Sequence, residues 1–396
     1  MDITIHPRKL RGTVTLIPSK SQAHRLLICA AFADQPTVLE CSETNRDIEA
    51  TVDCLNALGS HISRTNTGYS VVPVKSLPAK ALLNCCESGS TLRFMLPVVG
   101  ALGVDATFAM SGRLPNRPLS PLWEEMERMG CTLSRPTAET IRCAGKLRPG
   151  HYSIDGSVSS QYITGLMLAL SLLESPSDLE ITGTLESKPY VQLTKDAIAS
   201  FGTDPEHPGT GHFHSPGHLM VEGDWSNGAF FWVANALGSC LEICGLNAQS
   251  SQGDRDVAEL LPQLLSGAPT IRAADIPDLV PVLSVAAASC HGAVFTNIRR
   301  LRLKESDRVA SVIAMLQALG GQAEADADTL LVHGTGLTGG TVDSVNDHRI
   351  AMSAAIAAIA CTEPVTILGA ECVRKSYPKF FEEYRRLGGN YEQYLR

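Results

Sequence analysis

A chain of 396 residues is longer than one ordinary core accommodates, so two domains are expected. Its residues are 44% hydrophobic and 19% charged, the balance of a soluble globular protein, and a formal charge of −8 argues against nucleic acid or an anionic membrane as the main partner. Its twelve cysteines lie scattered without metal-type CxxC pairs, which fits free thiols in a reducing cytoplasm better than disulfides.

The opening, MDITIHPRKLRG, has no apolar run of the kind a secretory signal needs. Apolar stretches such as YITGLMLALSLL fall short of the roughly 18–20 residues that span a bilayer. IPSKSQAHRLLICAA places Lys20 and Ser21 at the opening of a helix, with Arg25 about one turn on. A helix start presents free N–H groups and a positive dipole, so these cations read as an anion site or, more plainly, as an N-cap beside a solvated lysine. ESGSTLRFMLP repeats the plan with Gly89 and Ser90, and GSVSSQYITGLMLAL does so again with Ser159, Ser160 and Gln161. Three small, polar helix starts in successive segments point to a common place.

Residues 203–219, TDPEHPGTGHFHSPGHL, read as a long loop or poor hairpin whose histidines are solvated rather than metal ligands. VEGDWSNGAFFWVANAL then turns from strand into buried helix. DIPD puts Asp278 between two prolines, a common turn setting. LRLKESDR, 301–308, taken alone reads as an exposed helical face, with Lys304 and Arg308 four apart and Glu305 and Asp307 beside them. His348 in NDHR reads as a structural hydrogen-bonder.

A repeat runs through the chain. DCLNALGSHI, EEMERMGCTL, DAIASFGTD, AMLQALGGQAE and EYRRLGGNYE each end an amphipathic helix on a small apolar residue plus glycine, and ELLPQLLSGAPTI is a weaker copy. The glycines are Gly59, Gly130, Gly202, Gly320, Gly388 and, in the weaker copy, Gly267. Glycine past a helix end supplies the left-handed conformation that stops it. The spacing fits six α/β units of about 65 residues, three to a domain, the alternative being chance similarity of helix ends.

PSKSQAHR, ESGSTLR, LPNRPLSPL, DGSVSSQY, ESKPYVQLT, DIPDLVPVLSVAA, LRLKESDR, NDHRIAMSAA and RKSYPKFF occur in an order that closely resembles the 5-enolpyruvylshikimate-3-phosphate synthases, enolpyruvyl transferases and the target of glyphosate. The resemblance covers nearly the whole chain. It implies an α/β, two-domain enolpyruvyl transferase fold (an inverse α/β barrel) of six βαβαββ units. Domain 1 would be 1–18 plus 222–396 and domain 2 would be 19–221, closing on ligands between them.

The implied reaction is attack of the 5-hydroxyl of shikimate 3-phosphate on C2 of phosphoenolpyruvate, protonation of C3, and loss of phosphate. The resemblance implies no metal and no organic cofactor, a monomer, and a cytoplasmic enzyme of aromatic amino acid biosynthesis. Carried over position by position, Lys20 would touch both substrates. Ser21, Arg25, Ser159, Ser160, Gln161, Ser187 and Lys304 would hold shikimate 3-phosphate. Gly89, Arg117, Arg308, Arg349 and Lys375 would hold phosphoenolpyruvate, with Gln161 reaching it too. Asp278 matches the carboxylate that takes the 5-hydroxyl proton, and Glu305 the acid that protonates C3. Arg93 would brace the Gly89 loop and Tyr190 would cover the shikimate ring. So many uncompensated cations would repel one another, favouring an open form without ligand.

Two positions depart from the family pattern. Glu87 stands where Asn is expected, and Arg300 where the family often has Asn. Two rival readings remain. One is the sister transferase acting on UDP-N-acetylglucosamine, whose mobile loop carries a reactive cysteine that SGRLPNRPLSPL lacks. The other is a non-catalytic sensor of a phosphorylated metabolite, which would bind without turnover.

Overall fold

Most of the punctuating glycines end their helices as their sequence context predicts. In the computed structural model, which describes residues 1–394, Gly59, Gly130, Gly202, Gly320 and Gly388 take positive φ, from 71° at Gly202 to 115° at Gly130. Gly267 is the exception, with an extended φ of 179°. Pro269 disfavours the helical region for Ala268, so the chain leaves this helix straight.

Contacts divide the chain into unit 1, Met1–Ile17 with the chain from Gly223 onward, and unit 2, Pro18–Glu222. Unit 2 contains α1 (Lys20–Ala31), α2 (Arg46–Ala57), α3 (Gly89–Leu102), α4 (Leu122–Arg128), α5 (Ser160–Leu170) and α6 (Lys188–Ser200). Unit 1 contains α7 (Trp225–Ala236), α8 (Val257–Ser266), α9 (Val280–Ser289), α10 (Arg308–Ala318), α11 (His348–Ala357) and α12 (Phe380–Arg386).

Among the described residues each unit has two four-stranded sheets and one two-stranded parallel pair. One strand pattern recurs in all four larger sheets. Lys80–Asn84 runs parallel to Asp105–Ala109, which pairs antiparallel with Thr140–Gly145, which pairs antiparallel with Cys131–Thr137. The same parallel, antiparallel, antiparallel order holds for His218–Met220, Thr37–Glu40, Gly68–Val72 and His61–Arg64. In unit 1 it holds for Thr270–Arg272, Gly292–Thr296, Thr329–His333 and Gln322–Ala325, and again for Gly340–Asp343, Val365–Leu368, Asp2–His6 and Asn390–Tyr394. The last of these ties the first strand of the chain to its C-terminal part.

Each unit has its own apolar core. Phe94, Phe108, Phe201 and Phe213 anchor unit 2, and Phe230, Phe231, Phe295 and Phe380 anchor unit 1. Fully burying one such ring is worth about 1.5–3 kcal/mol. α3, α5, α9 and α11 are buried almost all round, as their near-continuous apolar sequences require. α3 and α5 approach so closely that a Cβ on Gly165 would lie 2.2 Å from the Arg93 carbonyl oxygen. Gly165→Ala would therefore force the two helices apart. Because the helices are buried along their length, polar side chains collect at their N-terminal ends. No helix among the described residues is long and apolar enough to cross a membrane.

Candidate active site

In unit 2, three serines begin three helices. Ser19 Oγ accepts from Gln22 N at 3.4 Å, Ser88 Oγ from Thr91 N at 3.2 Å, and Ser159 Oγ from Gln161 N at 3.3 Å. The cap of α1 is thus Ser19, leaving Ser21 inside the first turn. Side chains tie these helix starts together, as the repeated motif predicts. Lys20 Nζ donates to Asp47 Oδ2 on α2 at 2.9 Å. Arg25 Nε and Nη2 donate to Thr194 Oγ1 at 2.8 Å and to Thr164 Oγ1 at 3.1 Å, linking α1 to α6 and α5. Its remaining bonds go to the carbonyls of Tyr190 (3.0 Å) and Ser21 (2.5 Å). Burial pushes the Arg25 guanidinium down to about 10, so it stays charged at neutral pH.

Arg93 braces the turn at Gly89. It donates to Gln161 Oε1 and to the Pro118 carbonyl, both at 3.1 Å, while Gln161 Nε2 donates to Ser90 Oγ at 3.0 Å. A Cβ on Gly89 would lie 2.5 Å from Arg117 Nη1 and 2.6 Å from Arg93 Nη1, so Gly89 sits directly under two guanidinium groups. The Glu87 carboxylate lies against Gly112. Ser187 is buried and holds a left-handed φ of 56° at the start of α6. That conformation costs a non-glycine residue about 1–3 kcal/mol, which fits a residue held in place for a task.

In unit 1 the cations meet carboxylates. Asp278 precedes α9 and accepts from Arg308 Nη1 at 2.5 Å and Arg349 Nη2 at 3.1 Å, with Lys304 Nζ 3.7 Å away. Arg308 Nη2 also donates to Glu305 Oε2 at 2.5 Å, and its Nε to Asp347 Oδ2 at 2.9 Å. Asp347 in turn caps α11, accepting from Arg349 N at 3.0 Å. Lys375 Nζ donates to the Asn346 carbonyl at 2.9 Å. That carbonyl belongs to a strained turn in which Val345 and Asn346 both take positive φ, 46° and 58°.

Two expectations need correction. LRLKESDR is not an exposed helical face. A 3₁₀ turn covers Arg299–Leu303, Lys304 is extended, Asp307 caps α10, and Arg308 opens that helix with 1% of its surface exposed. The break places Lys304, Glu305 and Arg308 around Asp278 instead of along one stripe. Nor are the unit 1 cations uncompensated, since Asp278, Glu305 and Asp347 share Arg308.

The electrostatics follow from that sharing. Burial pushes the Asp278 carboxyl up, but Arg349, Lys304 and Arg308 outweigh it and hold it well below the usual carboxylate range. Burial pushes Lys304 down to about 8, against the pull of Asp278 and helped by Arg308 and Arg300. Asp254 is pushed up to about 7 by burial and by Asp278. The sequence reading did not find Asp47, Asp254 or Asp347. Asp347 carried an N-cap signal in NDHR and Asp47 followed the cap Asn45, whereas Asp254 had no local signal. Three of the four histidines of 203–219 pair with surface carboxylates: His207 with Asp204 at 2.7 Å, His214 with Asp34 and His218 with Glu40, both at 2.9 Å.

The family model of EPSP synthase (3-phosphoshikimate 1-carboxyvinyltransferase) matches residues 5–384. The chain belongs to that family. Curated 3-phosphoshikimate 1-carboxyvinyltransferases from Clostridium kluyveri and Clostridium botulinum are 38% and 36% identical to it. The alignments cover 99% and 98% of this chain, and 98% of each relative. In structure it is similar to EPSP synthase from Acinetobacter baumannii, at 22% identity and TM-score 0.80 over 99% of this chain and all of that one. It is also similar to an enolpyruvyl transferase from Streptomyces tendae, at 19% identity and TM-score 0.74 over 99% of this chain and 98% of that one. The two-domain α/β fold is the one these structures share. As a member of the EPSP synthase family the chain is an enzyme, a carboxyvinyl transferase of the shikimate pathway.

Proposed function

We propose that the unit 2 and unit 1 clusters act on one pair of substrates, shikimate 3-phosphate and phosphoenolpyruvate. Together these carry roughly five negative charges, counting about −1.5 to −2 for each phosphate. Lys20, Ser21, Arg25, Ser159, Ser160, Gln161, Ser187 and Lys304 hold the shikimate ester. Gly89, with no side chain, lets its backbone N–H and the guanidinium of Arg117 meet phosphoenolpyruvate, which Lys20, Gln161, Arg308, Arg349 and Lys375 also contact.

Asp278 takes the proton of the 5-hydroxyl as its oxygen attacks C2. Glu305 delivers a proton to C3. The tetrahedral adduct then returns a proton from C3 and expels phosphate, leaving the enolpyruvyl ether. The bare cluster holds Asp278 too acidic for an efficient base. Anionic substrates that engage Arg308 and Arg349 relieve that hold and raise its proton affinity.

The observation that carries this reading is that Asp278 and Glu305 are both hydrogen-bonded to the one buried guanidinium of Arg308. A binding module for anions has no use for two carboxylates at its cation. Inorganic phosphate should appear when both substrates are supplied and not with either alone. Binding of shikimate 3-phosphate without turnover would sink the proposal in favour of a sensor. The free state of all twelve cysteines supports a reducing cytoplasm, and a monomer is expected on size-exclusion chromatography.

A further inference from the structure

Behind the unit 2 cluster lies a second set of polar groups with no place in the reaction as described. His24 is 0% exposed, and so are Thr51 and Thr91. His24 Nδ1 lies 2.7 Å from Thr51 Oγ1, which lies 2.8 Å from Thr91 Oγ1. Thr91 Oγ1 donates to Ser88 Oγ, the cap of α3, at 2.7 Å, and lies 3.3 Å from the Asp47 carbonyl. The pattern is a two-rung ladder. Lys20 and His24 are four apart on α1, and Asp47 and Thr51 are four apart on α2, so each pair shares a helix face. Lys20–Asp47 forms the outer rung and His24–Thr51 the inner one. The inner rung continues through Thr91 to the turn that carries Gly89 and Ser90.

Proton counting fixes the direction of the relay. Each threonine hydroxyl has one proton to give. Thr91 spends its one proton on Ser88 Oγ or on the Asp47 carbonyl, so the Thr51–Thr91 bond uses the Thr51 proton. Thr51 then has only a lone pair for His24, and Nδ1 must carry the hydrogen. That leaves His24 Nε2, which has no hydrogen-bond partner among the described residues, as a bare lone pair. An orphaned acceptor is more tolerable than an orphaned buried N–H. The ring must be neutral, since a charged imidazole would bury a second N–H without a partner. Burial, then Lys20 and Arg25, hold its proton affinity well below the usual histidine range.

We infer that His24, Thr51 and Thr91 are positioning residues that fix Lys20 relative to the Gly89–Ser90 turn, and so set the two substrates against each other. The inference rests on the proposed function for what is positioned, but the relay itself is testable without it.

Thr51→Val keeps the shape of the side chain and removes the relay, and Thr51→Ser keeps the hydroxyl. Thr51→Val should lower kcat about tenfold, inside the roughly hundredfold that a 1 Å misplacement can cost. It should raise KM for phosphoenolpyruvate and weaken shikimate 3-phosphate binding less, because Arg25 and the serines of α5 are untouched and only Lys20 is displaced. Thr51→Ser should restore both constants. A lowered melting temperature with unaltered kcat and KM, or a loss that Thr51→Ser does not rescue, would overturn the inference. Independently of any substrate, ¹H–¹⁵N spectra of the wild-type protein at neutral pH should show His24 as the neutral Nδ1–H tautomer. An Nε2–H ring or a charged one would overturn it as well.

Discussion

Arg25 in unit 2 and Arg308 in unit 1 are buried to nearly the same degree, 2% and 1% exposed, but different acceptors satisfy them. Arg25 meets two threonine hydroxyls and two carbonyls. Arg308 meets three carboxylates. A buried guanidinium held by neutral dipoles has its hydrogen bonds without its counter-charge. Its proton affinity falls, as it does at Arg25, and its field remains available to an arriving anion. A guanidinium held by carboxylates is neutralised on the spot, and its proton affinity rises, as at Arg308. What that second arrangement supplies is carboxylates with fixed positions. On the proposed reading, the first cluster serves anion binding alone and the second adds proton transfer to it, although both present rows of basic residues in the sequence.

That division makes Glu305 the place to break the comparison. Glu305→Gln keeps the size of the side chain and can still hydrogen-bond, but cannot deliver a proton. General acid catalysis is typically worth about 10²–10⁴-fold, so turnover should fall within that range. Affinity for shikimate 3-phosphate should change little. Near-normal turnover in a phosphate-release assay would remove proton transfer from the unit 1 cluster.

The converse experiment is Arg25→Lys. An ammonium cannot reproduce the fork that reaches Thr194, Thr164 and the Tyr190 carbonyl together. Hydrogen bonds involving a charged group contribute about 1.5–3 kcal/mol each, so losing one toward the ligand should weaken shikimate 3-phosphate binding roughly 10- to 100-fold. Calorimetric titration checks this. Turnover at saturating substrate should suffer less than in Glu305→Gln, and a larger kcat effect would erase the distinction between the clusters.

Gly89→Ala sharpens the unit 2 side. The added methyl would lie within 2.6 Å of both Arg117 Nη1 and Arg93 Nη1. Both are ends of flexible side chains, so the fold should survive while the guanidinium groups move. KM for phosphoenolpyruvate should rise about tenfold, and inhibition by glyphosate should weaken in step. Unchanged values for both would make Gly89 a packing residue.

Much of this was legible before any coordinates, for identifiable reasons. Helix ends were readable because Gly59, Gly130, Gly202, Gly320 and Gly388 stop helices by a local conformational rule. Gly267 failed because the rule was overridden by Pro269 two residues on. The three serine-rich helix starts were readable because capping is also local. Taken alone, the octamer 301–308 reads as a surface because its meaning is not local, and only the family resemblance points to Lys304, Glu305 and Arg308 as site residues. Arg308 is buried by carboxylates from positions 278 and 347, and no pattern within eight residues announces a partner 30 or 39 residues away. Asp254 was missed for the same reason, as its proton affinity is set by its burial and by Asp278. The His24–Thr51–Thr91 relay joins three helices, and only their packing reveals it.

The smallest expected effect tests whether the unit 1 cluster really sits near neutrality. Lys304 titrates near 8, because burial disfavours its charge and Arg308 and Arg300 add to that, while Asp278 opposes them. An anionic ligand raises that value, so the liganded protein holds the proton to higher pH than the free one. Affinity then depends on pH only above the free value. It should be flat from pH 7 to 8 as far as Lys304 is concerned, and fall above 8 by at most about tenfold per pH unit for one proton taken up on binding. Asp254, near 7, contributes a separate step. That step is common to wild type and to Lys304→Arg, whose guanidinium stays charged throughout. The ratio of the two shikimate 3-phosphate affinities isolates Lys304, and it should be constant below pH 8 and diverge above it. Parallel profiles would mean that Lys304 keeps an ordinary lysine's proton. In that case the three carboxylates around Arg308 outweigh burial, and the unit 1 cluster is more anionic than its geometry implies.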